Sequence, residues 1–259
     1  MTEIAASDGT KLAVHSVGSG PPVLLVHGIT ESSQTWDPVA GRLSTTNEVI
    51  RVDLRGHGNS QHNAPYDLAT MAGDLAVVVD QTCDVAPRLI GHSLGGVVVS
   101  ALAGVVAVHS VVNVDQSLRL DQFQAQLQAV APMLRDPDSF PLVLSALFDD
   151  LAGSALTEEE RARIEAARNA DQEVVLGIWQ AVIESEPADL RALVDATAAS
   201  VTAPYLSLFG IDPGDDYADW MSNRVPTATV ELWPDLGHYP HLVEPDRFVA
   251  RVHEFWNSI

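Results

Sequence analysis

The chain has 259 residues, 46% of them hydrophobic, which suits one domain with a buried core, alone or with an insertion. Its 14 Lys and Arg are outnumbered by 35 Asp and Glu, and this net charge of −21 disfavours nucleic acid and anionic membrane surfaces as partners. The lone cysteine, Cys83, excludes an internal disulfide and fits a reducing compartment. Because neither a signal-peptide pattern nor an apolar run of about 20 residues is found, we expect a cytoplasmic protein with no membrane partner.

Short apolar runs alternate with helical patterns in the first half of the chain. A β-hairpin is predicted over residues 2–16, followed by strands over 23–26, 49–53, 88–90 and 110–114 and by helices over about 35–43, 67–81 and 94–105. Strands that read as unbroken apolar runs are typical of a parallel sheet covered on both faces. The pattern therefore predicts an α/β fold with a mostly parallel central sheet and helices on both sides.

The sequence pattern changes between residues 116 and 200, where strand patterns disappear and Ala, Leu, Gln and Glu recur at helical spacing. Strand patterns return at 204–210 and 229–233, with helices near 217–224 and 245–256. We therefore predict a core made of residues 1–115 and 201–259, and a helical cap made of residues 116–200 inserted over the sheet.

A serine occupies the centre of the segment LIGHSLGG, residues 89–96, which reads as a strand, a tight turn and the start of a helix. The pattern G-x-S-x-G is met by Gly91, Ser93 and Gly95. A sharp strand-to-helix turn lifts the hydroxyl clear of the backbone, and glycines on both sides avoid a collision there. Ser93 is therefore the candidate nucleophile.

Three candidate groups follow predicted strands in the order Ser93, an aspartate and His238. Ligands of open parallel sheets bind at the carboxyl ends of the strands, so these groups are expected to converge. In a nucleophile–acid–base triad the histidine takes the serine proton and the aspartate holds the imidazole in the required tautomer. The order along the chain is that of a Ser-Asp-His hydrolase.

Four motifs together resemble the α/β-hydrolase superfamily: HG at residues 27–28, DLRGHGNS at 53–60, GHSLGG at 91–96 and GHYPHLVEP at 237–245. The resemblance implies the α/β-hydrolase fold with an inserted helical cap, and an oxyanion hole formed by the backbone N–H groups of Ile29 and Leu94. The remaining histidines and one arginine of these motifs are expected to be structural: His27, Arg55, His57, His92 and His241. They lack a supporting set of acidic residues or cysteines, so we expect neither a metal site nor a cofactor.

The acid has two candidates. The superfamily's usual acid follows the seventh strand, where this chain offers Asp212 one residue short of the usual spacing. Some relatives instead carry the acid after the sixth strand, where this chain has Asp115. Each has a structural alternative, because Asp212 stands in an Asp-Pro-Gly turn and many superfamily members keep an unreactive aspartate at the position of Asp115. The sequence leaves both open.

The motifs predict a serine hydrolase that cleaves a small apolar carboxylic ester or lactone through an acyl-enzyme. Carbon–carbon bond hydrolysis and cofactor-free perhydrolysis run on the same triad, and a hydrolase-fold small-ligand receptor is a non-catalytic alternative. Apolar residues of the predicted cap are candidates for the pocket wall or for packing onto the sheet: Leu142, Leu144, Leu147, Phe148, Trp179 and Ile183. The sequence leaves open whether the protein is a homo-oligomer.

Overall fold

A computed structural model describes residues 1–259, with the side chain of Asp150 excepted. Eight strands form one sheet in the order β1-β2-β4-β3-β5-β6-β7-β8, with β2 antiparallel to both neighbours and β3 to β8 parallel. The strands are β1 Thr2–Ala5, β2 Lys11–Gly18, β3 Pro22–Val26, β4 Glu48–Val52, β5 Arg88–His92, β6 Ser110–Val114, β7 Tyr205–Phe209 and β8 Ala228–Leu232. The predicted mostly parallel sheet is confirmed.

Two helical layers cover the sheet because successive strand residues point to opposite faces. On β3, Leu24 and Val26 pack into one apolar cluster with α2 and α3, whereas Val23 and Leu25 pack into another with α1 and α11. Every residue of β3, β6 and β7 is buried, which explains why these strands are mostly apolar. The helices of this part are α1 Asp37–Leu43, α2 Leu68–Thr82, α3 Leu94–Ala103, α9 Tyr217–Ser222, α10 Pro240–Val243 and α11 Pro245–Asn257.

Five helices lie between β6 and β7: α4 Asp121–Arg135, α5 Phe140–Ala152, α6 Glu158–Ala167, α7 Gln172–Glu184 and α8 Pro187–Ser200. Side chains of Thr157 and Asp171 cap α6 and α7 by accepting from backbone N–H groups in the first turn. The apolar faces of α4, α5 and α7 meet in a third cluster, which also includes Ile29 from the loop after β3. We refer to residues 121–200 as the helical segment.

Most element boundaries lie within two residues of their predicted positions. The helix expected from about residue 35 begins as a 3₁₀ turn over Ser33–Trp36 and continues as α1, since Pro38 stands in the first turn of the α-helix. The one-turn helix α10 was not predicted, because four residues carry too little periodicity to be recognised. None of the helices in the described residues is both long and apolar enough to span a bilayer.

Candidate active site

Ser93 stands at the apex of a strained turn between β5 and α3. Its φ and ψ are 52° and −123°, a conformation that is costly for a residue with a side chain. The turn needs glycine on both sides: a Cβ on Gly91 would overlap the carbonyl of Gly95, and one on Gly95 would overlap the carbonyl of Val26. The Ser93 N–H donates to the carbonyl of Val114 at 3.1 Å, which ties the turn to the end of β6.

Asp115 contacts the His238 imidazole in the space beyond the strand ends. Its Oδ2 lies 2.6 Å from His238 Nδ1, and both residues are 6% exposed. Its Oδ1 accepts the N–H groups of Gly210 and Ile211 at 2.7 and 2.9 Å. The carboxylate is therefore held from both sides, by the loop after β7 and by the imidazole. Since an ionised carboxylate only accepts hydrogen bonds, the contact places the imidazole proton on Nδ1 and leaves Nε2 as a base.

Asp212, the other candidate acid, does not reach the imidazole. Its side chain is exposed and accepts the N–H of Gly214 at 2.8 Å, which is the turn-forming alternative of the Asp-Pro-Gly sequence. The two preceding residues give their N–H groups to Asp115 instead, so the loop passes the site with its backbone rather than with the Asp212 carboxylate. The structure brings together Asp115 and His238 and leaves Asp212 at the surface.

His92 places the imidazole of His238 beside the serine turn. The two rings lie 4.5 Å apart, and His92 Nε2 lies 2.8 Å from the backbone oxygen of His238. Because His92 directly precedes Ser93, this hydrogen bond links the turn to the loop that carries His238. A second bond, from His238 N–H to the carbonyl of Leu151 at 3.0 Å, links the same loop to α5.

Ile29 and Leu94 leave neighbouring strands at matching positions. Val26 of β3 pairs with Gly91 of β5, and each of the two residues follows its strand partner by three positions. Leu94 is the first residue of α3, so its N–H has no partner within the helix. No hydrogen bond found among the described residues uses the N–H of Ile29. The free N–H groups of Ile29, in the loop after β3, and of Leu94, at the start of α3, can stabilise negative charge beside Ser93.

Several polar side chains of the motifs hold the surrounding loops. His27 Nε2 accepts the N–H of Leu54 at 3.1 Å, and Arg55 makes a buried two-point ion pair with Asp74, each bond 2.6 Å long. Burial, and next the nearby His27, lower the pKa of His57 to about 3. These residues take part in loop structure, as predicted from their positions in the motifs.

The third apolar cluster involves side chains of the two residues that carry the free N–H groups. Ile29 belongs to it and Leu94 packs against it, together with five of the predicted lining residues: Leu144, Leu147, Phe148, Trp179 and Ile183. The prediction for Leu142 was wrong, because its side chain is 76% exposed. Leu142 and Leu144 are two positions apart on α5, which places them on nearly opposite faces of a helix.

Two residues of the site were not identified from the sequence, Glu31 and Tyr239. The Glu31 side chain is 4% exposed, and it accepts the hydroxyl of Tyr239 at 2.8 Å. A glutamate in a short polar loop resembles an ordinary surface residue, so its burial depends on tertiary contacts. In the part of the chain that the structure describes, no group of three or more His, Cys, Asp or Glu is arranged to hold a metal ion.

Comparison with known proteins finds hydrolases among the sequences and structures that are similar to this chain. The sequence model described as "Alpha/beta hydrolase family" matches residues 23–251. The chain is 27% identical to 2-(acetamidomethylene)succinate hydrolase of Mesorhizobium japonicum, over 94% of this chain and 91% of that protein. It is 26% identical to the pimeloyl-[acyl-carrier protein] methyl ester esterase of Aeromonas salmonicida, over 94% and 98%. An esterase structure from Exiguobacterium antarcticum superposes with a TM-score of 0.82 at 20% identity, covering 99% of both chains.

Proposed function

Because this chain belongs to the alpha/beta hydrolase family and is one of its enzymes, we propose that it is a serine hydrolase of carboxylic esters or lactones. Ser93 is the nucleophile, His238 the general base and acid, and Asp115 the acid of the triad. The observation that carries the proposal is the 2.6 Å contact between Asp115 and a His238 whose loop is bonded to the residue before Ser93.

Attack begins when Ser93 Oγ adds to the carbonyl carbon of the substrate and its proton passes to His238 Nε2. Asp115 holds the Nδ1 proton, so Nε2 is the nitrogen that receives the serine proton, and the carboxylate offsets the positive charge of the imidazolium. The carbonyl oxygen becomes an oxyanion, which the N–H groups of Ile29 and Leu94 stabilise. In other hydrolases the loss of one such donor costs on the order of 100- to 1000-fold in rate.

The tetrahedral intermediate collapses when the bond to the leaving oxygen breaks and His238 returns its proton to that oxygen. An alcohol leaves from an ester, whereas the alcohol stays attached to the acyl chain when a lactone opens. Water, activated by His238, then adds to the acyl-enzyme carbonyl, and the acid is released with Ser93 regenerated. No other reactant is consumed.

The helical segment is the proposed cap over this site. The apolar cluster that meets Ile29 and Leu94 supports a substrate with a small apolar acyl group. The similarity to the methyl ester esterase supports an ester in particular. We propose that specificity lies in α4, α5 and α7, which supply nearly all of the cluster.

The deciding experiment combines a fluorophosphonate probe with turnover of p-nitrophenyl butyrate. We expect one adduct per chain, located on Ser93 by peptide mass spectrometry, and turnover of many equivalents of ester. Ser93→Ala is expected to lose the adduct and to reduce kcat by on the order of 10⁵-fold or more. A properly folded wild-type protein without a Ser93 adduct would refute the serine mechanism, and an adduct without turnover would point to a ligand receptor.

A further inference from the structure

One buried carboxylate, that of Glu31, lies between the three segments that carry the proposed reactive groups. These segments are the loop that contains Ile29, the turn at Ser93, which His92 precedes, and the loop of His238, which Tyr239 follows. The Glu31 side chain is 4% exposed. Burial of a carboxylate is costly unless hydrogen bonds or opposite charges compensate it, so its contacts indicate what holds it there.

Each oxygen of Glu31 is directed to a different part of the site. Oε2 accepts the N–H of Gly28 at 3.2 Å and lies 3.6 Å from His92 Nδ1. Oε1 accepts the hydroxyl of Tyr239 at 2.8 Å. The first contact closes the loop in which Ile29 directly follows Gly28, and the other two reach the neighbours of Ser93 and of His238.

Electrostatics keep this carboxylate ionised. Burial raises the pKa of Glu31, but the nearby His92 and the hydrogen bond from the Tyr239 hydroxyl outweigh burial and hold the pKa well below its usual range. Burial and the charge of Glu31 raise the pKa of the Tyr239 hydroxyl well above its usual value, so the hydroxyl remains a donor. The Arg168 guanidinium donates to the same hydroxyl oxygen at 2.9 Å and places a positive charge nearby.

His92 lies between Glu31 and the backbone of His238 and contacts both. A carbonyl oxygen only accepts hydrogen bonds, so the 2.8 Å contact with the His238 carbonyl requires a proton on His92 Nε2. With that edge of the ring fixed, Nδ1 faces the Glu31 carboxylate. The ring thereby connects a negative charge in the Ile29 loop to the segment that presents the His238 imidazole.

We propose that Glu31 is a positioning residue for the hydrolase reaction. It holds the Ile29 N–H and the His238 imidazole in the relative placement that the tetrahedral intermediate requires. The inference rests on the proposed function of Ser93 and His238, since it concerns the alignment of the same site. Glu31 itself contacts no reacting atom and acts through Gly28, His92 and Tyr239.

The primary test is Glu31→Gln, which preserves size and removes the negative charge. The amide nitrogen of glutamine only donates, so either the hydrogen bond from the Gly28 N–H is lost or the one with the Tyr239 hydroxyl is reversed in direction. We expect kcat for p-nitrophenyl butyrate to fall about 10- to 100-fold with KM changed less than about threefold, because misalignment weakens binding of the transition state in particular. Affinity for a boronic acid that forms a tetrahedral adduct on Ser93 should fall by a similar factor.

Asp74→Asn is the matched control. The side chains of Asp74 and Glu31 are both 4% exposed, and Asp74 pairs with Arg55 in a part of the structure to which we assign no catalytic group. Removing the Asp74 charge is expected to lower the melting temperature. The kcat of this variant should stay within about twofold of the wild-type value at a temperature where both proteins are folded. An equal loss of kcat in both variants would indicate general loosening and overturn the positioning role.

Tyr239→Phe decides the matter if Glu31→Gln does not fold. It keeps the aromatic ring and removes only the hydroxyl bonded to Glu31, and we expect a 3- to 10-fold lower kcat at unchanged KM. If Glu31→Gln folds and its kcat is unchanged, the proposal is overturned. If Glu31→Gln does not fold, an unchanged kcat in Tyr239→Phe overturns it. Failure of the proposed function is distinguishable, because the wild-type protein would then show neither turnover nor a Ser93 adduct.

Discussion

The strand ends and the helical segment are held together by different kinds of interaction. At the strand ends, buried carboxylates bind backbone N–H groups of neighbouring loops: Asp53 accepts from Ser33 and Asn59, and Asp115 accepts from Gly210 and Ile211. In the helical segment, α4, α5 and α7 pack on one another and on Ile29 through apolar side chains. Hydrogen bonds such as that from the Asn169 N–H to the Thr30 carbonyl join the segment to the core elsewhere. Hydrogen bonds are directional and fix side chains in one geometry, whereas apolar packing tolerates substitutions of similar volume. The comparison indicates that reactivity and substrate range are separable properties of this protein.

Among the changes that test this comparison, the largest effect is expected at the carboxylate that contacts the imidazole. Asp115→Asn should reduce kcat by about 10⁴-fold, because an amide stabilises the wrong imidazole tautomer and offers no charge to the imidazolium. Asp212→Asn is the matched control, since its carboxylate is exposed and bonded only within its own turn, and kcat should stay within about twofold. Steady-state kinetics on p-nitrophenyl butyrate measure both. A large loss in Asp212→Asn would contradict the assignment of the acid.

The serine turn should tolerate no added methyl group. Gly95→Ala places a Cβ against the backbone carbonyl of Val26, and we expect a loss of stability of about 3–5 kcal/mol or failure to fold. In Gly73→Ala, on α2, the new Cβ meets nothing within 4 Å, so that variant should be as stable as the wild type or slightly more so. Urea unfolding followed by circular dichroism compares them. Equal stabilities would show that the turn relaxes more easily than its geometry indicates.

Changes in the apolar cluster should alter substrate range and leave reactivity intact. Trp179→Leu reduces the volume of a buried side chain, and we expect the ratio of kcat/KM for p-nitrophenyl octanoate over acetate to rise about 10-fold. Leu142→Ala, on the exposed face of α5, is the control that should leave the ratio unchanged. If Trp179→Leu lowers kcat for the acetate and the octanoate equally, the two regions are not separable.

The smallest effect is a dependence of stability on pH that arises outside the helical segment. All 9 histidines lie outside residues 121–200, and burial lowers the pKa of His27 and His241, and of His57 to about 3. The unfolded chain binds protons near pH 6.5 that the folded His57 does not bind until about pH 3. Stability must therefore fall as pH drops through this interval.

Urea unfolding at pH 7.5 and pH 5 measures this effect. The free energy of unfolding should be lower at pH 5, and His57 should account for about 1–2 kcal/mol of the difference. His57→Gln should reduce the difference between the two pH values by that amount. An identical difference in the variant would mean that the folded protein accommodates a protonated His57.

The local sequence pattern was sufficient to predict most of the fold. Strands such as β3 are unbroken apolar runs that end in glycine or polar residues, so their positions could be read directly from residues 22–28. The turn around Ser93 was equally readable, because its glycines are required by contacts within a few residues or with the adjacent strand. Leu142 shows where pattern was insufficient: an apolar residue on an amphipathic helix is assigned to the wrong face when the helical phase is misjudged.

The sequence by itself determined the order of the elements and the turn that carries Ser93, since each depends on residues near one another in the chain. His238 was identified as a candidate from the motif around it. Only the tertiary structure shows that Asp115, and not Asp212, contacts His238, because this depends on which loop turns its backbone N–H groups toward Asp115. The same holds for Glu31, whose partners lie 61 and 208 positions along the chain, at His92 and Tyr239. Contacts between distant segments leave no local periodicity in a sequence, and so they are seen only once the chain has folded.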